Sequence, residues 1–140
     1  MKRILVRLAL ALLVAALGWG AVAFPHVARV ETGRTPEYPD LKPSIYLRPP
    51  NSVAKATLAA VGKLGWTVVA SGNGPGGTQV QATATTFGLP IPSDVFIHSR
   101  MDRGRTVVSV KSEWRYGPWD FGQGARNIRA FLAELDRQLP

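Results

Sequence analysis

No cysteine occurs among the 140 residues. That excludes a disulfide framework, a lipidated lipoprotein cysteine, thiolate zinc sites and cysteine nucleophiles. Histidine is almost as scarce. His26 and His98 are the only two, and their separation along the chain argues against a histidine-built metal centre. A long run of one charge sign is also missing, although 17 basic residues face 9 acidic ones and the net charge is +8. Lys2, Arg3 and Arg7 belong to the N-terminal flank, and the next densest group, Arg100, Arg103 and Arg105, is interrupted by Asp102. A solvated hairpin tip accounts for that trio, so no nucleic-acid partner is expected. A weak attraction to anionic lipid headgroups is compatible with the same charge.

What the chain does have is one long apolar segment. Residues 8–24 (LALALLVAALGWGAVAF) carry no charge and follow the basic residues 1–7. A helix of that length spans roughly 26 Å, close to the hydrocarbon thickness of a bilayer. The basic flank predicts a cytoplasmic start and an exported remainder. Trp19 and Phe24 fall where the far interface is expected. Two readings stay open: an uncleaved anchor, or a signal peptide cut after Ala23, since Ala21-Val22-Ala23 is an A-x-A sequence. The apolar stretch exceeds a usual signal-peptide core, which favours the anchor. Either way the expected home is the bacterial inner membrane, single-pass with the domain on the periplasmic side, or the periplasm itself after cleavage.

The organisation that follows is a membrane segment over residues 1–24, a proline-rich extended linker over 25–50, and an α+β domain over 51–140. Six prolines, at 25, 36, 39, 43, 49 and 50, mark the linker as a stalk; Ile45-Tyr46-Leu47 offers an added edge strand. Asn51 or Ser52 is the expected N-cap of a helix carrying Val53, Thr57, Ala60, Val61 and Leu64 at helical spacing, stopped by Gly65. Residues 66–71 read as a strand with Trp66, Val68 and Ala70 on one face, and 72–77 as a turn. Residues 78–86 alternate, with Val80, Ala82 and Ala84 inward. Residues 87–92 form a connection, and 94–101 and 106–114 a second hairpin. A final amphipathic helix spans 125–138, with Ile128, Phe131, Leu132 and Leu135 in one stripe. The expected fold is therefore a four-stranded antiparallel sheet with two helices packed on one face, in the order α-β-β-β-β-α after the apolar helix.

Candidate chemistry is thin. Gly72, Gly74 and Gly77 match G-x-G-x-x-G, but the next segment alternates like a strand instead of opening a helix, so a hairpin turn explains them. Asp94 and His98 would lie roughly 13 Å apart on one strand, too far for a catalytic pair with Ser93. The carboxylates Asp94, Asp102, Glu113, Asp120, Glu134 and Asp136 form no evident pair. No catalytic residue, cofactor or metal is assigned. The unusual stretch is Trp114-Arg115-Tyr116-Gly117-Pro118-Trp119-Asp120-Phe121-Gly122, four aromatics interleaved with charge and glycine. Such a loop suits recognition by stacking and hydrogen bonding. A structural account competes and is preferred: the aromatics cap the open end of the sheet, and Asp120 bonds loop amides, pairs with Arg115 or starts the last helix.

These residues also carry a resemblance. Ser112-x-x-Arg115-x-Gly117-x-x-Asp120-x-Gly122, followed by Asn127-Ile128-Arg129, resembles the C-terminal signature of an uncharacterised bacterial family, domain of unknown function 1499. Thr85-Thr86-Phe87-Gly88, Asp94-Val95 and Pro50-Asn51-Ser52-Val53 resemble other parts of its pattern, over about residues 50–135. The chain departs at Ser52, where the family has cysteine, at Trp119 (serine), Gly124 (asparagine) and Asn127 (arginine), and an insertion separates Phe87-Gly88 from Asp94. It would be a divergent member. The resemblance implies an envelope or membrane-associated domain and no activity. The expectation is a membrane-tethered, non-enzymatic accessory or interaction protein, held by residues 8–24 and engaging an envelope protein, with Ser112, Trp114, Arg115, Tyr116, Gly117, Trp119, Asp120, Phe121 and Gly122 as candidate interaction or family-motif residues whose role is not assigned. The alternative is a small-ligand or lipid-binding domain that uses the loop 114–122.

Overall fold

The computed structural model describes residues 1–86 and 89–140. The chain opens with the helix α1 (Lys2–Ala23), none of whose residues is buried. Its apolar window has a mean hydropathy of 2.1, and by length and composition it is able to cross a membrane. Then follow β1 (Arg29–Glu31), β2 (Ser44–Tyr46), α2 (Pro50–Lys63), β3 (Thr67–Gly74), β4 (Gly77–Thr86), β5 (Leu89–Asp102), β6 (Arg105–Trp114) and α3 (Gln123–Gln138). All strand pairs are antiparallel, in the order β3-β4-β5-β6-β1, with β2 sharing the outer edge of β6.

The class is α+β, with an antiparallel sheet behind an N-terminal apolar helix. The four-strand count and the order α-β-β-β-β-α need correction. Two strands precede α2, and both come from the stretch expected to be a free linker. β1 pairs Arg29, Val30 and Glu31 with Glu113, Ser112 and Lys111, while β2 pairs Ser44, Ile45 and Tyr46 with Val108, Val107 and Thr106. Three residues are too few to show alternation, and their partners lie 60 or more positions away, so the signal is tertiary. Val30, Leu41 and Tyr46 are buried in the common core. The Tyr46 hydroxyl donates to Asp136 Oδ1 at 2.7 Å near the end of α3. Burial and that carboxylate push the phenol pKa far up.

Local chemistry explains the helices. α2 starts on Pro50, whose missing N–H costs nothing in the first turn. The preceding Pro49 caps without a side-chain bond, so the expected Asn51 or Ser52 cap is not used. α2 ends in a Schellman turn: Gly65 takes φ +71, its N–H reaches the Gly62 carbonyl at 3.0 Å, and Trp66 N–H reaches Val61 at 3.1 Å. Trp66 then stacks on Phe131 of α3 with ring centroids 6.3 Å apart. A bulge at Val69 breaks the expected alternation of β3, an edge strand exposed along its length. Of the expected connection over 87–92, Phe87 and Gly88 lie outside the described residues, and the backbone from residue 89 onward belongs to β5.

The core lies between the sheet and the helices. Val80, Ala82 and Ala84 of β4, Val95 and Ile97 of β5, and Val108 and Val110 of β6 meet Val53, Ala60 and Val61 of α2 and Ile128, Phe131 and Leu135 of α3. The ladder also sorts the loops. Ser93 faces Trp114 and Arg29 faces Glu113, so the entry from α1, the loop 114–122 and the start of α3 share one end of the sheet. The hairpin turns after Gly74 and Asp102 occupy the other. Replacing Val30 by Ala is expected to cost about 1–3 kcal/mol, because a fully buried side chain is cut back. Leu47→Ala, at a position 82% exposed, should stay within about 0.5 kcal/mol of wild type. Chemical denaturation of the detergent-solubilised protein checks both; equal, silent effects would restore a free linker.

Candidate functional site

The loop after β6 divides into two parts. In the first, Trp114 N–H bonds the Ala28 carbonyl at 2.8 Å, and its indole Nε1–H donates to the Tyr116 carbonyl. The Trp114 and Tyr116 rings meet edge to face at 6.3 Å. Between them, Arg115 turns back over the outer face of the sheet. Its Nε donates to Asp94 Oδ2 at 2.8 Å and its Nη2 to Asp94 Oδ1 at 2.5 Å. The guanidinium beside it holds the Asp94 carboxyl below the usual carboxylate range, partly opposed by desolvation. A forked pair of this kind fixes orientation as well as charge.

The second part starts with Gly117 at φ +84 and runs to Gly122 at φ +77. Asp120 is 2% exposed. Its Oδ1 accepts from Gly122 N–H at 2.8 Å and its Oδ2 from Gly124 N–H at 2.6 Å. One carboxylate thereby satisfies donors at the mouth of α3 that would otherwise be unpaired, and it sits at the favourable end of the helix dipole. Burial pushes the Asp120 pKa up, against the two amide bonds and the nearby Arg126. A Cβ on Gly124 would lie 2.6 Å from Asp120 Oδ2 and 3.0 Å from Val30 Cγ2, so glycine is required there by close approach.

Behind Asp120, a polar chain runs into the core. Arg126 Nη2 donates to Gln123 Oε1 at 3.0 Å, Gln123 Nε2 to Asn127 Oδ1 at 2.8 Å, and Asn127 Nδ2 to Ser112 Oγ at 3.3 Å. Ser112, Gln123 and Asn127 are all buried. Ser112 is thus an internal brace on β6, remote from solvent.

The aromatics of the second part pack on the chain leaving α1. Trp119 and Phe121 stack at 4.1 Å, and His26 lies 4.3 Å from Trp119. His26 Nε2 is 2.9 Å from the Ala21 carbonyl, and Asp120 N–H reaches the Val27 carbonyl at 3.0 Å. Phe24 covers Gly122, where a Cβ would come within 2.8 Å of its ring. Arg126 stands 5.6 Å above that ring, and Trp19 meets it edge to face at 6.4 Å.

All the residues singled out in the loop therefore sit at one end of the fold, but they do not converge on a common point. Asp120 bonds loop amides and starts α3; Arg115 chooses Asp94 over Asp120. The sequence placed Phe24 at the far membrane interface, His26 in the membrane flank and Gly124 as a departure from the family pattern, without joining any of them to the loop, and it did not single out Arg126. The remaining candidates are scattered. Ser93 is buried on the inner face, while His98 Nε2 lies 3.0 Å from the Gly76 carbonyl. Gly77 takes φ +120, and a Cβ there would collide with the Ser99 carbonyl, which suits a hairpin turn. Glu113 pairs with Arg29 and Lys111 at 2.9 and 3.1 Å, and Glu134 with Arg137 at 2.7 Å. Among the described residues, no three His, Asp or Glu side chains come together as a metal ion needs. Open, shallow recesses are bordered by Val27, Arg29, Arg34 and Glu37, and by Lys2, Arg3, Val6 and Arg7.

Two variants test this geometry. Gly124→Ala should destabilise the fold by about 1–3 kcal/mol through overpacking against Asp120 and Val30, read by denaturant midpoint. A depressed carboxyl stabilises the fold above its ordinary value and loses that contribution as pH falls through the folded one. Arg115→Gln should therefore destabilise at neutral pH and converge with wild type as pH falls below the ordinary carboxylate range. A constant gap across that range would show that Arg115 acts other than through Asp94.

Among curated proteins none matches the chain. Among solved structures, the crystal structure of Ara h 8.0201 is similar at 16% identity and a TM-score of 0.37, over 79% of this chain and 97% of that one. A family model matches residues 22–135, from the end of α1 through the Asp120 cap to α3, and by that match the chain belongs to the family described as protein of unknown function DUF1499.

Proposed function

We propose that the protein is a membrane-tethered, non-cytoplasmic domain of the cell envelope, acting without catalysis as an accessory or interaction protein. α1 is the tether. The observation that carries the reading is the joint between α1 and the domain: a helix with no buried residue runs directly into Phe24, His26 and Val27, which the domain itself binds. An apolar helix left bare by its own protein needs an apolar environment outside it. The basic residues Lys2, Arg3 and Arg7 favour a cytoplasmic N-terminus, which sends the domain outward.

The non-enzymatic part rests on how the polar groups are spent. Arg115, Asp94, Asp120, Ser112 and Asn127 are committed to bonds that hold the fold. A catalytic set needs groups aimed at a substrate position. With the polar groups engaged internally, partner protein contact through the exposed surface is the remaining role for the domain.

Topology and partnership are tested together. A reporter enzyme that works only outside the cytoplasm, fused after Pro140, should be active, and the protein should resist extraction from membranes by alkaline carbonate. Crosslinking in intact membranes should return one reproducible envelope protein. Activity of a cytoplasm-only reporter, or alkaline release into the soluble fraction, would sink the tether. A lone monomer after crosslinking would sink the accessory role.

A further inference from the structure

Granted the tether, we propose that the loop carrying Trp119 and Phe121 is a second membrane contact, lying in the headgroup zone of the leaflet from which α1 emerges. The occupant of this surface is the bilayer itself and not a lipid held in a pocket.

Depth is the first argument. The uncharged part of α1 begins at Leu8, and a hydrocarbon core of about 30 Å needs roughly 20 helical residues. Counted from Leu8, that length runs past Phe24. The apolar helix is therefore no longer than the hydrocarbon is thick, so the end of α1 reaches the far boundary at most. Residues touching Ala21 to Phe24 are held at that boundary by contact: His26 at the Ala21 carbonyl, Trp119 on His26, Gly122 beneath Phe24. Aromatic rings are enriched at the interface, and Trp119 brings its ring to that end with its indole N–H buried and without a hydrogen-bond partner.

Exposure and strain supply the second. Phe121 is 45% exposed and adopts φ +55, a left-handed conformation uncommon for a bulky residue. The protein accepts an unfavourable backbone state and still leaves an apolar ring uncovered. Trp119 stacks beneath it at 4.1 Å. Trp19, on the same side of the joint through Phe24, is 71% exposed. Arg126 stands over Phe24, placing a cation at the depth of lipid phosphates. A span slightly short for its bilayer is relieved by flanking residues that sit in the interface. These three rings and one guanidinium fit that description.

The full chain reconstituted in phosphatidylcholine vesicles gives the test. Phospholipid spin-labelled near the headgroup quenches tryptophan at that depth. Three single-tryptophan proteins, each with its other tryptophans changed to Phe, retain Trp19, Trp66 or Trp119. Trp119 is expected to lose emission to within about twofold of the loss at Trp19, with Trp66 nearly unquenched. Because those replacements risk the fold, a nitroxide on Phe121→Cys, compared with Met101→Cys at the opposite end, gives a second reading with every tryptophan kept. Position 121 should be more accessible to oxygen than to a water-soluble nickel chelate, and position 101 the reverse. Trp119 quenched no more than Trp66, while Trp19 is quenched, overturns the inference and leaves the tether standing. Absence of quenching at Trp19 overturns both.

Discussion

The buried carboxylate of Asp120 is the constraint on which this end of the molecule depends. It binds the N–H groups of Gly122 and Gly124 together, so it sets both the exit of the loop and the first turn of α3. Its Oδ2 occupies the space a Gly124 side chain would need, and Val30 of β1 closes the other side. β1, the loop and α3 are thus held by one group, and each requires the others in place. A carboxylate so deeply buried is a high-stakes choice. Burial raises its pKa in spite of two amide donors and Arg126, so desolvation outweighs the bonds. The fold accepts that cost because the N–H groups of Gly122 and Gly124 would otherwise be left unpaired at a buried helix start.

The residues that resemble the family signature gain a physical meaning from this arrangement. Arg115 ties the loop to β5 through Asp94, Asp120 ties it to α3, Gly117 and Gly122 supply left-handed turns, and Ser112 braces α3 through Asn127. These are the residues of a joint. The departures fit the same picture. Glycine at 124 is what the Asp120 geometry permits, and Asn127 is the length that reaches Ser112 while also accepting from Gln123. A signature spent on architecture leaves function to side chains outside the motif or at its bare faces, such as Tyr116 at 60% exposure and Phe121 at 45%.

Much of the domain was legible in the sequence because its signals are local. The stripe Ile128, Phe131, Leu135 and the alternation Val80, Ala82, Ala84 each report one buried face. Gly65 announced the end of α2 through a turn only glycine adopts easily. β1 and β2 were not legible as a pair of strands, since three residues among prolines owe their strand state to an edge of β6 reached from far along the chain. The Asn51 or Ser52 cap failed because Pro49 and Pro50 start the helix earlier. At the site, the capping role of Asp120 was readable from an acid just ahead of a helical stripe. The choice of Asp94 by Arg115 was not, because it depends on the β5–β6 register placing Asp94 opposite Glu113 beside the loop.

The same register has a mechanical consequence. Only residues 24–26 separate the end of α1 from the first carbonyls bound by the loop, those of Val27 and Ala28. Phe24 and His26, within those three, are themselves packed on Gly122 and Trp119. A flexible stalk would let a domain tumble independently of its helix; here the slack has been removed. Of the prolines expected to form that stalk, Pro25 falls in the joint, Pro36, Pro39 and Pro43 lie between the two strands docked on β6, and Pro49 and Pro50 start α2. α1 and the sheet are therefore joined through the Asp120 loop, with Phe24 and His26 packed on it and Val27 and Ala28 hydrogen-bonded to it.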